Sequence, residues 1–194
     1  MWVFSGTIES FLIAFPALFS IVNPIGIALI YYQVTAGQSR AERSALAWRV
    51  AAYSLGVMLV SLWAGATLIG FFGVSLSALR VAGGLVVAVR AWEMLSAPEQ
   101  NEGRKQEQAS KATGASDDAF FPLTMPLTTG PGTISVAIAL SANRPKNTLD
   151  VIPYFIGMSG AALAVTLAIG LFYASADRVV SLLGQNGSRV VTRM

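Results

Sequence analysis

"TMPLTTGPGTISVAIAL", residues 124 to 140, lies inside an uncharged run long enough to cross a membrane. Pro126, Gly130, Pro131 and Gly132 stand in the middle of that run, among several threonines. In a helix interior glycine costs about 1 kcal/mol and proline about 3 kcal/mol relative to alanine. Lipid offers no water to satisfy the backbone groups that a break sets free. A break at this depth therefore needs a purpose, and the rest of the chain shows what kind.

Hydrophobic residues make up 54% of the chain and charged residues 12%, with a mean hydropathy of +0.61. A soluble domain carries about 25% charged residues. Four uncharged stretches exceed the ~20 residues a spanning helix needs: Ser10 to Ser39, Val50 to Leu79, Ala119 to Asn143 and Val151 to Ala176. A fifth, Leu79 to Ala97, is interrupted by Arg90 and Glu93, whose spacing of three lets them pair or snorkel to the interface. The composition implies an all-α polytopic membrane protein with spans at 8–32, 49–70, 79–97, 119–141 and 151–175. The chain has no cysteine and no histidine. That excludes disulfides, thiolate and imidazole metal sites and Ser-His-Asp catalysis. The opening MWVFSGTIES has no basic n-region or small-x-small cleavage site, so the first run reads as a retained span.

The basic residues orient these spans. Arg80, Arg144 and Lys146 fall on the side of the N-terminus. Arg40, Arg43, Arg49, Arg90, Arg104, Lys105, Lys111, Arg178, Arg189 and Arg193 fall on the other. Ten against three predicts an outside N-terminus. The polar stretch "PEQNEGRKQEQASKATGASDD", residues 98–118, is then a cytoplasmic linker. It separates a first three-helix repeat, 1–97, from a second repeat, 119–194.

The two halves echo each other. "VNPIGIALIYYQ" at 22 to 33 and "TGPGTISVAIALS" at 129 to 141 share a polar or glycine residue, a proline, a glycine and then small and aliphatic residues. Three spans precede the linker, so the second half enters the membrane from the opposite face. That is an inverted repeat of three plus three helices. The charges flanking the first span, Glu9 and Arg40, put Pro24 near its centre, and Asp118 and Arg144 do the same for Pro131. Breaks at matching depth in helices 1 and 4 are the sequence pointer to a transporter site.

Proline is tolerated at the first position of a helix, where its missing N–H has no partner anyway. Asn23 before Pro24 is a good N-cap, and Gly130 before Pro131 serves similarly. The N–H groups of Ile25 and Gly26, and of Gly132 and Thr133, are then free to bind an anion at two half-helix N-termini. Carbonyls around residues 19–22 and 127–129, with the hydroxyls of Ser20, Thr128 and Thr129, offer acceptors for an ammonium. Together these groups fit a small zwitterion. Glu9, Glu93, Asp118, Asp150 and Asp177 all fall near span ends, which disfavours a cationic substrate or a midplane carboxylate relay. No cofactor is implied, while coupling to Na+ or H+ stays open. Against this stands the plain alternative that both breaks are structural kinks without a ligand.

Other motifs read as packing. Ser61 with Gly65, Ala66 with Gly70, Gly157 with Ala161, and the series Gly160, Ala164, Ala168 have small-xxx-small spacing. They suit close helix contacts and also leave room for a homo-oligomer. Gly83 and Gly84 suit the close passage of another helix. Trp2, Trp48, Trp63 and Trp92 suit interfacial or lipid-facing positions.

"VNPIG", "RVAGG" and "PLTTGPG", in this order with the polar link before the last, resemble the MarC family of prokaryotic inner-membrane proteins. The resemblance runs from about Phe11 to the C-terminus. It implies a six-span inverted repeat and transport of small neutral amino acids between the two broken helices. Mapped onto this chain, the binding candidates are Asn23, Pro24, Gly26, Gly130, Pro131, Gly132 and Thr133. One departure stands out. The first repeat continues from Arg80 through "VAGG" into a third span, whereas the second reaches "GSRVVTRM" where a sixth span is due. The expectation is five long spans, a second repeat lacking its last helix, and an apolar groove where that helix would pack.

The leading reading is thus a transporter of glycine, alanine or serine, partnered by lipid and a zwitterion and not by nucleic acid, rather than an enzyme. A channel or efflux pore for other small solutes, and a non-transporting membrane scaffold, are the alternatives.

Overall fold

The computed structural model describes residues 2–73, 75–96 and 119–178. The 98–118 linker and residues 179–194, where the end of the second repeat is expected, lie outside the described residues, as do the side chains of Arg80, Arg90 and Glu93. Among the described residues every regular element is helical: α1 (Trp2–Val22), α2 (Pro24–Val34), α3 (Arg40–Phe71), α4 (Leu76–Ser96), α5 (Ala119–Thr128), α6 (Pro131–Ala142) and α7 (Thr148–Ala174).

Among the described residues, three stretches are long and apolar enough to cross a membrane: Gly6–Val34, Arg40–Phe71 and Thr148–Ala174. α5 and α6 together make a fourth, bent by 68°. Among the described residues, three or four stretches thus meet this length and composition test, against the five crossings expected. α4 forms where the third span is expected, but its three charges, Arg80, Arg90 and Glu93, keep it out of that class.

Local chemistry sets the ends. α3 begins at a reciprocal cap: the Ser39 hydroxyl accepts from the Glu42 N–H at 3.3 Å, and the Glu42 carboxylate accepts from the Ser39 N–H at 2.9 Å. This starts the helix at Arg40, nine residues before the predicted span. Its 32 residues rise about 48 Å, well beyond the ~30 Å hydrocarbon core, so its basic first turns stand at the interface. α7 starts with Asn147 accepting from the Leu149 N–H at 3.3 Å.

α7 is the most buried of the long helices and packs on α1, α2 and α3. Its outer stripe, Ile152, Ile156, Leu163, Leu167 and Leu171, is exposed and repeats at helical spacing, as a lipid-facing surface requires. Its inner stripe, Met158, Ala161, Ala162, Val165 and Ile169, joins Leu18, Val22, Ile27, Val50, Met58 and Leu62 in the core. Trp48 and Trp63 are half-exposed, yet each also joins α3 to α7. The Trp63 ring lies 4.8 Å from that of Phe155, and its indole N–H donates to Ser159.

The glycines sort themselves by contact. A Cβ on Gly157 would strike the Thr7 carbonyl and sit 2.9 Å from Ser10 Cβ, so this glycine fixes how closely α1 and α7 cross. Gly65 faces Ile138 and Gly83 faces Ala139, which brings α6 against α3 and α4. Gly84 and Gly70 meet nothing within 4 Å, and a Cβ on Gly160 would reach only ordinary contact with Phe11 at 3.6 Å. Helix approach thus depends on part of the small-residue pattern.

Gly157→Ala is expected to destabilise the detergent-solubilised protein by about 1–3 kcal/mol, the usual cost of overpacking. Gly160→Ala should be near neutral. Thermal unfolding of both variants, followed by far-UV circular dichroism, makes the comparison; equal midpoints would contradict this packing.

Candidate functional site

The first break is slight. α1 keeps its hydrogen bonding to the end, since the Asn23 N–H donates to the Phe19 carbonyl at 2.9 Å. Asn23 then adopts the left-handed conformation (φ 48°, ψ 63°), the only non-glycine among the described residues with positive φ. Asparagine tolerates that region better than most residues. Its side chain accepts from the Gly26 N–H at 3.2 Å and its carbonyl from the Ile27 N–H at 3.1 Å. The N-cap reading of Asn23 therefore holds, but the Gly26 N–H is not free. Ile25 is half-exposed and Pro24 is buried. With the Phe19 carbonyl also engaged, the first break offers less than expected.

The second break is the larger one, and it begins earlier than Gly130. Residues 121–128 repeat a tetrapeptide, Phe121-Pro122-Leu123-Thr124 then Met125-Pro126-Leu127-Thr128. Phe121 (φ −125°, ψ 123°) and Met125 (φ −116°, ψ 120°) are extended, as residues before proline prefer, and each precedes a cis proline. The threonines repair the turns. Thr124 Oγ donates to the Ala119 carbonyl and Thr128 Oγ to the Leu123 carbonyl, each at 2.7 Å and five residues back. The Thr129 N–H reaches the Thr124 carbonyl at 2.8 Å. α5 is thus a wide-turned segment closed by side chains as well as backbone.

α6 then starts at Pro131 with Gly130 as an extended N-cap (φ −80°, ψ −179°) that supplies no side-chain bond. A Cβ on Gly130 would lie 2.9 Å from the Pro126 carbonyl, so the fold of α5 requires glycine there. Thr133 is buried in the first turn, and the fully buried Thr129 hydroxyl has no hydrogen-bond partner. A buried hydroxyl without a partner costs about 1–3 kcal/mol. The two broken spans lie together, α1 packing on α6 and α2 on α5.

Thr128 is tied elsewhere. Its proton goes to Leu123, so Tyr173 Oη donates to it at 2.9 Å. The Tyr173 ring stacks on Tyr31 at 4.5 Å, and Tyr31 Oη donates to the Arg43 carbonyl at 2.6 Å. These aromatic residues escaped the sequence reading because 142 positions separate the stacked pair (173 − 31). Ser20 is exposed on α1.

A polytopic helical chain broken at an Asn-Pro and a Gly-Pro step has close relatives in sequence. Residues 8–194 match the profile of the MarC family integral membrane proteins. A membrane protein of Methanocaldococcus jannaschii is 30% identical over 191 residues, covering 96% of this chain and 88% of the relative. The chain belongs to the MarC family. The inner membrane protein MarC of Salmonella typhimurium is 29% identical over 184 residues, covering 91% of this chain and 82% of the relative. The Bacillus subtilis membrane protein YvbG is 32% identical over 181 residues, covering 93% and 83%. No solved structure matches. This MarC-family chain is accordingly an integral membrane protein, of a kind named as inner membrane protein in bacteria.

Asn23 performs two tasks in this chain, a left-handed turn and a cap. Asn23→Gly keeps the first and loses the second, while Asn23→Ala loses both. Loss of a cap to alanine costs about 0.5–2 kcal/mol and to glycine a few tenths. Thermal unfolding should therefore rank parent, then Asn23→Gly, then Asn23→Ala. A reversed order of the two variants would show that the turn is not set by this residue.

Proposed function

We propose that the chain is a secondary transporter of small neutral amino acids of the glycine, alanine and serine class, and not an enzyme. Its substrate carboxylate binds at the α6 N-terminus, between the broken helices. The observation that carries this reading is the second break itself. An uncapped helix start with glycine at 130 and 132 lies beside a fully buried threonine hydroxyl with no partner. A helix terminus contributes about 0.3–1 kcal/mol to an anion at an exposed site, and up to about 2 kcal/mol when partly buried. Thr129, with nearby carbonyls, supplies polar atoms for the ammonium end, while the Thr128 hydroxyl is already engaged. On this reading the α2 start, with Asn23, Pro24, Ile25 and Gly26, shapes the wall of the site more than it donates to the ligand.

The packing supports an inverted repeat. Exchanging the halves pairs α1 on α7 with α5 on α3, α2 on α7 with α6 on α3, and α1 on α6 with α5 on α2. All six contacts are present, and α3 on α7 maps onto itself. The match extends to residues. The offset that carries Pro24 to Pro131 is 131 − 24 = 107. Trp48 against Gly170 becomes Phe155 against Trp63 (48 + 107 = 155; 170 − 107 = 63), and both contacts occur. With the basic residues, such a repeat supports the reading of an inner-membrane protein whose N-terminus is outside and whose 98–118 linker is cytoplasmic.

Uptake of labelled glycine into proteoliposomes, with and without a sodium gradient, tests transport. Saturable uptake is expected, while linear flux would favour a channel and none a scaffold. Calorimetry with glycine on purified protein tests the site. Gly132→Val should weaken binding at least tenfold, about 1.4 kcal/mol. Gly26→Val should weaken it less, because the Gly26 N–H is already engaged. If both variants bind as the parent does, the breaks are kinks.

Orientation is tested separately, because the cysteine-free chain allows single cysteines on a silent background. A cysteine at residue 2 should react with an impermeant thiol reagent in intact cells, and cysteines within 98–118 should be shielded. The opposite pattern would overturn the charge argument.

A further inference from the structure

At one end of the helices the link after α2, the start of α3 and the end of α7 meet. The geometry points to a gate at that face: the Arg43–Asp177 ion pair, extended inward by the Tyr31–Tyr173 stack to Thr128, shuts the broken-helix site off from the aqueous space there. The inference rests on the site proposed above and adds how access to it is controlled.

The layers are continuous. Outermost, Arg43 is buried, pairs with the Asp177 carboxylate and donates from Nη2 to the carbonyls of Thr35 and Gln38, each at 3.2 Å. Its guanidinium lies 4.7 Å from the centre of the Tyr32 ring. Arg40 Nε approaches the second Asp177 oxygen at 3.9 Å from the solvent side. Beneath this layer the Arg43 carbonyl accepts from Tyr31 Oη, and the fully buried Tyr31 ring stacks on the fully buried Tyr173 ring. Innermost, Tyr173 Oη bonds Thr128, two residues before Gly130. One chain of contacts therefore runs from the surface to the second break.

Two observations distinguish a gate from a simple brace. First, the chain is one-sided. The ion pairs of Arg40 and Arg43 with Asp177 lie at this face. The counterpart of Tyr31 in the other half is Ile138 (31 + 107 = 138), which packs on Gly65 without any polar group. Apolar packing of that kind joins helices without desolvating charges. Second, the closed arrangement carries a cost, because Arg43 Nε is buried with no partner. A buried ion pair that loses one partner leaves an uncompensated charge, which favours a hydrated arrangement. In this gate the outer layer exchanges its paired state for a hydrated one, as a switching element needs.

Thr129 is a suitable reporter. It is fully buried and its hydroxyl makes no hydrogen bond, so Thr129→Cys removes none. Labelling is read with an impermeant maleimide in right-side-out and inside-out vesicles. Slow labelling from the Arg43 face is expected in this background. Adding Asp177→Asn should raise the rate from that face at least tenfold, and the charge swap of Arg43→Asp with Asp177→Arg should restore protection. If Asp177→Asn lowers the folded yield, Tyr173→Ala leaves the ion pair in place and should open the inner layer with the same readout. Labelling needs no amino acid, so its result is independent of whether glycine binds. The gate is overturned if Thr129→Cys alone reacts from that face as fast as in the variants. It is also overturned if the cysteine stays unreactive with both Asp177→Asn and Tyr173→Ala.

Discussion

Every backbone amide and carbonyl placed within lipid must find its partner inside the protein, and the two interruptions of this fold are shaped by that demand. At the first, a single residue is sufficient. Asn23 turns the chain in the left-handed region, and its side chain and carbonyl accept from the N–H groups of Gly26 and Ile27. At the second, two threonines return their hydroxyls to carbonyls five residues back, where the prolines interrupt ordinary helical bonding. The difference in bend follows. A break repaired within one residue leaves Gly6–Val34 as one continuous span, whereas ten residues of widened turns accompany a 68° change of direction.

The same demand explains where glycine is placed. Chains that pack in lipid gain little from hiding apolar surface and depend on close contact. Gly157 lets α7 rest directly on the α1 backbone, and Gly170 admits the Trp48 ring, whose nearest atom would lie 2.7 Å from an added Cβ. α7 consequently acts as the post to which α1, α2 and α3 attach. Gly130 serves a different end: it accommodates the Pro126 carbonyl, so the turn that starts α6 depends on the turn that closes α5.

Much of this was legible in the sequence. Uncharged runs marked the long helices, and the Asn-Pro and Gly-Pro steps marked both breaks, because each of these signals is local. Ser39 and Glu42 form a capping box that was equally local, and noting it would have started α3 at Arg40. The tetrapeptide repeat at 121–128 was also visible in the letters. Its meaning was not, since threonine bonds to carbonyls five residues back belong to a turn that helical periodicity does not describe. Pairings across the fold were beyond reach. Arg43 and Asp177 are 134 residues apart, and both fall where charges ordinarily mark a span end. Spacing alone could not choose Gly157 over Gly160, because both lie on one helix and only the path of α1 separates them.

The helix pairings of the two halves correspond, but the halves differ at each point where chemistry could occur. The α2 start is capped by a side chain, while the α6 start is not. The interface of α2 with α7 carries stacked tyrosines and leads to an ion pair, while that of α6 with α3 is an isoleucine against a glycine. On the transporter reading proposed above, symmetric packing with asymmetric polar groups suits a protein that exposes one site to two sides in turn. On that reading, equivalent interfaces would keep the two arrangements close in energy, and the groups that break the equivalence would decide which one is occupied. On this argument the polar chain from Arg43 to Thr128 selects the state, and the open N-terminus of α6 gives that choice a consequence.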